Sequence, residues 1–144
     1  MGLGSRPKSW NPLVAEMMVQ DFAASFAWWT GMLGFAPLFQ RPAQRLAMLQ
    51  HPDGAQVMIY QRDGDWETGA MEPPFGRGAV LQVFVGDVVS VQAVLVAAGH
   101  PFYVALREKW RDWGDCLGGQ REFLVQDPDG YLVMVAEHIG TKAL

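Results

Sequence analysis

The chain has 144 residues, of which half are hydrophobic and 18% charged, and its formal net charge is −4. This size and composition predict one globular domain with a full core and exclude a disordered chain. The acidic balance argues against nucleic acid as the main partner. Cys116 is the only cysteine, which excludes a disulfide framework and a thiol-based zinc site.

No targeting or membrane-spanning segment is expected. The first ten residues lack the apolar core of a signal peptide. The longest apolar segments, residues 80–85 and 88–98, are too short to span a bilayer. With a single cysteine that suits a reducing compartment, these features predict a cytoplasmic protein that does not associate with membranes.

The first half of the chain predicts the element order βαβββ. Residues 13–19 predict a strand, and Asp21 predicts a helix N-cap because its carboxylate can accept from the free amides of the first turn. The helix ends at Gly34, and its apolar residues recur at helical spacing. These residues are Phe22, Phe26, Trp29 and Leu33. Three strands follow, at residues 35–41, 45–50 and 55–61.

The same order restarts after a polar stretch. Residues 62–78 are rich in Gly and Pro and predict a linker. A strand at residues 79–85 leads to a second N-cap, Asp87, and to a helix that Gly99 closes. Residues 102–111 predict the next strand.

A predicted hairpin near the end of the chain repeats an earlier turn. Asp127-Pro128-Asp129-Gly130 lies between two apolar runs, and His51-Pro52-Asp53-Gly54 takes the same place in the first half. The cap-to-turn spacing is ten residues longer in the second copy, which predicts an irregular insertion around residues 110–119. We therefore expect an internal duplication. The expected organisation is a single domain over residues 1–144, made of a module 12–62, a linker 63–78 and a module 79–138.

Several motifs resemble those of a known family. The helix segment at residues 25–35, SFAWWTGMLGF, is similar to the signature helix of the bleomycin resistance proteins. The run from Gly118 through the Asp-Pro-Asp-Gly turn to Glu137 matches that branch too, as does Glu108-Lys109-Trp110. On these motifs the chain is identified as a member of the vicinal oxygen chelate superfamily, which includes glyoxalase I and extradiol dioxygenases. The resemblance implies an α+β fold in which two βαβββ modules form a curled mixed-sheet cup.

In metal-using members of that superfamily the cup holds a divalent ion. The resemblance places the ligand positions seven residues before each capping Asp and four residues after the Gly of each Pro-Asp-Gly turn. Here those positions are Val14, Val80, Met58 and Met134, and none offers an oxygen or imidazole donor. We therefore expect no metal and no other cofactor.

The histidines and the cysteine do not supply another catalytic motif. His51 lies in a turn, His100 follows the second helix, and His138 lies beyond the last predicted strand, so each is interpreted as a surface or loop residue. Cys116 is interpreted as a partly buried thiol and not as a nucleophile. No Ser-His-Asp arrangement or phosphate-binding loop is present.

Strand alternation extends the predicted cup surface beyond the four ligand positions. The residues two away on each strand are Glu16, Met18, Gln56, Tyr60, Gln82, Phe84, Leu132 and Ala136. This surface is apolar and aromatic with a few polar groups, as is typical of an organic-ligand pocket. Glu16 could pair with a cationic ligand or act as an acid or base, or it could be a solvated or Arg-paired carboxylate. Gln56, Tyr60 and Gln82 could orient a ligand or be ordinary polar residues of a wet cleft.

Three of the six tryptophans are candidates for ligand contact. Trp66 lies in the linker, and Trp110 and Trp113 lie at the insertion, where flat rings can stack on planar or cationic groups. Arg107, Lys109 and Arg111 alternate along one strand and so share a face. A solvated basic face is favoured there over a nucleic-acid surface, because the chain as a whole is acidic.

The predicted function is metal-independent binding and sequestration of a small antibiotic-like molecule, cationic or planar, as in bleomycin resistance proteins. The predicted ligand-binding residues are Glu16, Gln56, Met58, Tyr60, Trp66, Gln82, Phe84, Trp110, Trp113 and Met134. The alternative is an enzyme of the lyase or dioxygenase type, or a metal-free one that uses Glu16 as acid or base. Binding without turnover is favoured. A homodimer is expected, since the resembled branch forms dimers and Val89, Ala93 and Val96 lie off the core face of the second helix.

Overall fold

We analysed a computed structural model, which describes residues 3–144. The chain divides into two compact units. The first unit extends to Phe75 and includes Asp127–Gly130, and the second comprises Gly76–Gln126 and Tyr131–Leu144.

The first unit contains one helix and a five-stranded sheet. The sheet order is β1-β3-β4-β5-β2, in which only β2 and β5 run parallel. A short 3-10 helix, Pro42–Gln44, connects β3 to β4. The elements are β1 (Leu3–Gly4), β2 (Ala15–Val19), α1 (Phe22–Gly31), β3 (Ala36–Arg41), β4 (Leu46–Gln50) and β5 (Gln56–Gln61).

The second unit repeats this arrangement with four strands. The sheet order is β6-β9-β8-β7, in which β6 and β9 run parallel. The elements are β6 (Val80–Phe84), α2 (Val88–Ala97), β7 (Val104–Asp112), β8 (Leu117–Gln126) and β9 (Leu132–Lys142). The predicted α+β class and the two βαβββ modules are confirmed.

The two modules share the same local signals. Asp21 accepts a hydrogen bond from the Ala24 amide at 3.1 Å, and Asp87 accepts one from the Ser90 amide at the same distance. Both helices therefore begin at the predicted N-caps. The parallel pairings also correspond, because Ala15 lies opposite Val57 in the first unit and Leu81 lies opposite Val133 in the second. The duplication predicted from the turns extends to the strand register.

One face of each sheet is almost completely buried. In the first unit this face includes Val19 and Ile59, both with no exposed surface, and in the second it includes Val133 and Val135, with at most 1% exposed. α1 contacts β5, and α2 contacts β8 and β9. Apolar burial of this kind is the main favourable term in folding. The residues predicted for the cup lie on the other face, where most are partly or fully exposed and Met18, Gln56 and Ala136 are buried.

Three sequence-based expectations need correction. The first strand is not the one predicted at residues 13–19, because β1 precedes it and its Leu3 pairs with Gln40, although two residues are too few to show alternation. The insertion is a lengthened hairpin, since β8 begins at Leu117 and not after an irregular stretch. The last strand continues to Lys142, with a register shift opposite Gly119 and Gln120. That bulge interrupts the side-chain alternation along β9 that would otherwise predict where the strand ends.

The predicted linker has no regular secondary structure. Residues 62–79 contain no helix or strand. Within the described part of the chain, neither helix is long and apolar enough to cross a membrane.

Candidate functional site

The predicted cup residues lie on one face of each sheet, called here the ligand face. In the first unit Glu16 lies opposite Met58 across the β2–β5 pairing. In the second unit Gln82 lies opposite Met134, and Phe84 lies opposite Ala136, across the β6–β9 pairing. Since partners in a parallel ladder point to the same side, each half of the predicted set is a contiguous surface.

On the ligand face of the first unit, Tyr60 is tied to a neighbouring carboxylate. Tyr60 lies on β5, where Met18 of β2 is its partner, and its hydroxyl donates a hydrogen bond to Asp63. This bond, with desolvation and the negative charges of Asp63, Asp65 and Glu16, raises the pKa of Tyr60 to about 12. The phenol is therefore held in its protonated form at neutral pH and is a poor general acid.

Gln56 is occupied by contacts within the first unit. Its side-chain amide donates to the Ser9 carbonyl oxygen at 2.8 Å and to Gln50 Oε1 at 2.9 Å. Its own Oε1 accepts from the Asn11 backbone N–H at 2.8 Å. Because Gln56 is buried and its amide group is engaged on both sides, its place in this structure is to hold the segment before β2 against β5.

Two tryptophans of the first unit, Trp66 and Trp10, lie outside the strands that carry the predicted cup residues. Trp66 is 76% exposed and has a positive φ of 62°. Trp10 packs against Phe39 with ring centroids 6.1 Å apart, and Arg41 lies over the Phe39 ring at 5.8 Å. Trp10, Phe39 and Arg41 line an open cleft of about 600 Å³ together with Arg6 and Gln44, a feature that the sequence did not indicate.

The ligand face of the second unit carries an exposed aromatic group. The rings of Phe84 and His138 stack with centroids 4.6 Å apart and planes 11° apart. Trp113 meets the His138 ring edge-on at 6.0 Å, and its indole covers Gly118 so closely that a Cβ there would lie 2.1 Å from it. Phe84 is 39% exposed and Trp113 is 49% exposed. These three side chains, Phe84, Trp113 and His138, are called here the aromatic group.

Beside the aromatic group lies a charge cluster formed by Arg107, Arg111, Gln120 and Glu122. Glu122 is completely buried on β8, opposite Arg107 of β7 on one side and Ala136 of β9 on the other. Arg111 donates to both of its carboxylate oxygens, at 2.6 and 3.0 Å, and Arg107 donates from Nε at 3.3 Å. Arg111 also donates to Gln120 Oε1 at 3.1 Å. The predicted common face of Arg107 and Arg111 is therefore confirmed by their shared contact.

The electrostatics of the cluster keep it charged. Burial alone would raise the pKa of Glu122, but the hydrogen bonds and positive charges of Arg111, and then of Arg107, outweigh it and lower that pKa. The same hydrogen bonds, which Arg111 donates to Glu122, raise the pKa of Arg111. At neutral pH the cluster thus holds one carboxylate and two guanidinium groups, with a net charge of about +1.

Trp110 lies on the opposite face of this sheet from the aromatic group. It alternates with Arg107 and Arg111 along β7, and a Cβ at its partner Gly119 would lie 2.7 Å from its ring. Lys142 Nζ lies 3.7 Å from the Trp110 ring centroid, and the indole N–H donates to Glu108 at 2.8 Å. The geometry therefore groups Trp113, but not Trp110, with Gln82, Phe84 and Met134.

One of the three histidines, His51, differs from the sequence-based interpretation, and a second, His138, is exposed as expected but lies within a strand. His51 is buried, its ring packs edge-on against Phe35, and burial lowers its pKa. Its Nδ1 accepts from the Asp53 amide at 3.0 Å, so it is a structural residue of the first Pro-Asp-Gly turn. His138 lies within β9, on the ligand face, because that strand is longer than predicted. His100 follows α2 outside any helix or strand, as expected.

The residues at the superfamily's metal-ligand positions do not fit a divalent ion. Val14, Met58, Val80 and Met134 present hydrocarbon or thioether groups, which are not donors for hard or borderline divalent ions. Throughout residues 3–144, no group of three or more His, Cys, Asp or Glu side chains is arranged to hold a metal. No reaction step through a metal is derived for these positions.

Comparison with protein families gives a match over most of the chain. The model of the Glyoxalase/Bleomycin resistance protein/Dioxygenase superfamily matches residues 12–135. The chain belongs to this superfamily. No curated protein matches it.

Solved structures of the superfamily's fold resemble the chain over nearly its full length. TioX from Micromonospora sp. ML1 is 26% identical with a TM-score of 0.66, and the match covers 88% of this chain and 98% of that one. A superfamily member from Alicyclobacillus acidocaldarius is 15% identical with a TM-score of 0.63, covering 90% and 92%. Lactoylglutathione lyase from Agrobacterium tumefaciens is 17% identical with a TM-score of 0.58, covering 92% and 96%. The last two support the fold alone.

The sequence-based site was incomplete in the second unit. Glu122, Gln120 and His138 were not among the candidates, although they lie on the same face as Phe84 and Met134. If the alternation along β9 is continued past Ala136, His138 falls on the ligand face. The antiparallel pairing of β8 with β9 then places Gln120 and Glu122 on that face too.

Proposed function

We propose that this superfamily member binds and sequesters a planar, antibiotic-like small molecule without a metal and without chemical turnover. The observation that carries this proposal is the aromatic group on the ligand face of the second unit. Large exposed rings are costly to leave in water and are enriched where flat ligands dock. Phe84 and Trp113 are 39% and 49% exposed, so ring surface is left for stacking.

Metal independence is supported by the chemistry of the residues at the ligand positions. Met58 and Met134 lie in the last strand of each module, at the position where metal-using relatives carry a metal ligand. Thioethers are soft, flexible and apolar, and they adapt well to the shape of an organic ligand. A methionine at the metal-ligand position of both modules favours a binding surface over a catalytic metal centre.

The charges of the site favour a planar ligand over a cationic one. Glu16 is an exposed carboxylate on the first unit, but the charge cluster of the second unit has two guanidinium groups around a single carboxylate. A cation placed beside Arg107 and Arg111 would be repelled. Stacking on the aromatic group, in contrast, is available to any planar ligand and does not require a positive charge.

A metal-free enzyme is the second candidate, and one observation favours it. Glu16 and Tyr60 lie on neighbouring strands of the first unit, and the charge of Glu16 contributes to the raised pKa of Tyr60. A carboxylate base next to a phenol is a workable acid–base pair. The bond from Tyr60 to Asp63 counts against it, because the hydroxyl must break that contact before it can reach a substrate.

Homodimerisation is part of the proposal. On α2, Val89, Ala93 and Val96 are exposed and recur at the i, i+4, i+7 spacing of one helix face. An exposed apolar stripe on one short helix is typical of a surface that another protein chain covers. Light scattering at micromolar concentration tests this point. A dimer mass that Val96→Glu converts to a monomer mass supports the helix as the contact, whereas a monomer mass for the unmodified protein contradicts the dimer.

Calorimetric titration of EDTA-treated protein tests the binding function. The probes are 2-naphthamide, a planar uncharged molecule, and metal-free bleomycin, followed by mass spectrometry of the recovered ligand. Saturable heat with an unchanged ligand supports sequestration. No heat and no thermal shift with either probe at millimolar concentration contradicts it, and conversion of a probe would favour the enzyme.

A further inference from the structure

We propose that the second unit binds an aromatic carboxylate, with Arg107 and Arg111 as the anion site and the aromatic group as the stacking surface. This inference rests on the proposed binding function and adds the chemical class of its ligand. It concerns a single unit of the chain and a single face of its sheet.

The two parts of this site share one surface because of the strand register. Phe84, Ala136, Glu122 and Arg107 are successive partners across all four strands, so their side chains point to the same side. In the next row His138 is the partner of Gln120. The rings and the guanidinium groups are therefore neighbours on one sheet face and not on two sides of it.

The spacing suits a small aromatic acid. His138 and Gln120 lie on adjacent strands, which are separated by about 4.8 Å. The Arg111 guanidinium lies 3.1 Å from the Gln120 side chain. A ring that stacks on the aromatic group thus brings a directly attached carboxylate over β8, within reach of the two arginines.

The arginines retain capacity for an incoming anion. Within the described residues 3–144, Arg107 makes its only side-chain hydrogen bond through Nε, so both terminal nitrogens are available. The Arg107 and Arg111 side chains are each 39% exposed, whereas Glu122 beneath them is completely buried. Two cations around one anion leave a net positive charge that a ligand carboxylate can neutralise.

Glu122 is a positioning residue in this account. Its carboxylate is too deeply buried to touch a ligand, but it fixes both guanidinium groups in place before any ligand arrives. Arginine side chains lose much conformational freedom when they are ordered, so groups that are already fixed bind an anion at a lower entropic cost. Planar guanidinium groups also match the geometry of a carboxylate better than an ammonium does.

The proposal is tested with 2-naphthoate and its neutral counterpart 2-naphthamide as probes. We expect the unmodified protein to bind 2-naphthoate about tenfold more tightly, since a charge-assisted hydrogen bond at a half-exposed site contributes on that order. Added salt should reduce this preference. In Arg107→Gln the preference should disappear, while 2-naphthamide binds as before.

Arg121→Gln is the matched control, because Arg121 alternates with Gln120 and Glu122 along β8 and so lies on the opposite face of the same sheet, paired with Glu108 and Glu137. It should retain the preference for 2-naphthoate. Equal affinities of the unmodified protein for the two probes would overturn the anion site alone and leave planar binding intact. Binding of neither probe would overturn the anion site and the proposed function together. Because the comparison of the two probes uses the unmodified protein, it does not depend on how well Arg107→Gln folds.

Discussion

Glu122 and Arg111 lie on neighbouring strands and share two hydrogen bonds, of 2.6 and 3.0 Å. The carboxylate has no exposed surface, although it lies on the sheet face opposite the core. A buried charge is tolerated only when it is paired and hydrogen-bonded. The stability of the second unit therefore depends on this contact, as does the proposed anion site.

Glu122→Gln is expected to lower the free energy of unfolding by about 2 kcal/mol, because it leaves two guanidinium groups without their carboxylate. The loss is limited because both arginines are half exposed and can turn to water. Urea unfolding followed by circular dichroism measures it. Glu108→Gln, an exposed residue of the other face, should change the stability by less than about 0.5 kcal/mol. Equal effects of the two variants would contradict the role given to Glu122.

Asp129 should make the stability of the first unit depend on pH. Burial raises its pKa, although Oδ1 accepts a hydrogen bond from the Gln20 amide at 2.8 Å, and among residues 3–144 Oδ2 has no hydrogen-bond partner. Because the folded pKa exceeds the unfolded one, this group adds stability at low pH, and that stability is lost as the pH rises through the folded pKa.

Lowering the pH from 7 to about 4 should therefore stabilise the unmodified protein relative to Asp129→Asn. Urea unfolding at several pH values gives the difference. The exposed carboxylate of Asp115 serves as the control, since Asp115→Asn should show no such trend. A difference that stays constant, or that moves the other way, would count against a raised pKa at Asp129.

Gly118→Ala should weaken ligand binding without unfolding the protein. A methyl group there meets the Trp113 ring at 2.1 Å, and the half-exposed indole must leave its place over β8. We expect a several-fold loss of affinity for 2-naphthamide, since stacking on one ring contributes on the order of 1 kcal/mol. Gly69→Ala, at a position with no neighbouring atom within 4 Å, should bind normally. Unchanged affinity in Gly118→Ala would show that Trp113 is not part of the site.

Trp29→Phe should destabilise the first unit by about 1–3 kcal/mol. The Trp29 side chain is completely buried, and its indole N–H donates to Asp127 Oδ2 at 3.3 Å, so the variant leaves both a cavity and a carboxylate short of a donor. Thermal unfolding measures the loss. Trp66→Phe, at a ring that is 76% exposed, should have almost no effect. Similar melting temperatures for the two variants would contradict the structural role of Trp29.

Much of the fold was predictable because its signals are local. Asp21 and Asp87 identify two helix starts, and the two Pro-Asp-Gly turns fix the strand register that places Glu16 beside Met58 and Gln82 beside Met134. Caps and tight turns depend on the chemistry of a few adjacent residues. The face on which each strand residue lies is also a local property, because successive side chains alternate between the two sides of a strand.

The site of the second unit was only partly predictable, because its contacts depend on pairing between distant strands. Glu122 meets Arg107 and Arg111 only through the β7–β8 register, which a bulge shifts. The strand end was placed before His138 because the bulge near Gly140 hides the continuation. Alternation from Arg111 already places Trp110 on the opposite face, but the irregular insertion expected around residues 110–119 excluded Trp110 from that pattern.

The most direct test of the account is a two-dimensional amide NMR titration of isotope-labelled, EDTA-treated protein with 2-naphthamide. Binding at the aromatic group predicts saturable shifts of the Phe84, Trp113 and His138 signals, and a shift of the Trp113 indole N–H. The Trp110 indole N–H, on the other face of the sheet, should not move. Shifts confined to the first unit, or no saturable shift at all, would contradict a metal-independent ligand site on the second unit.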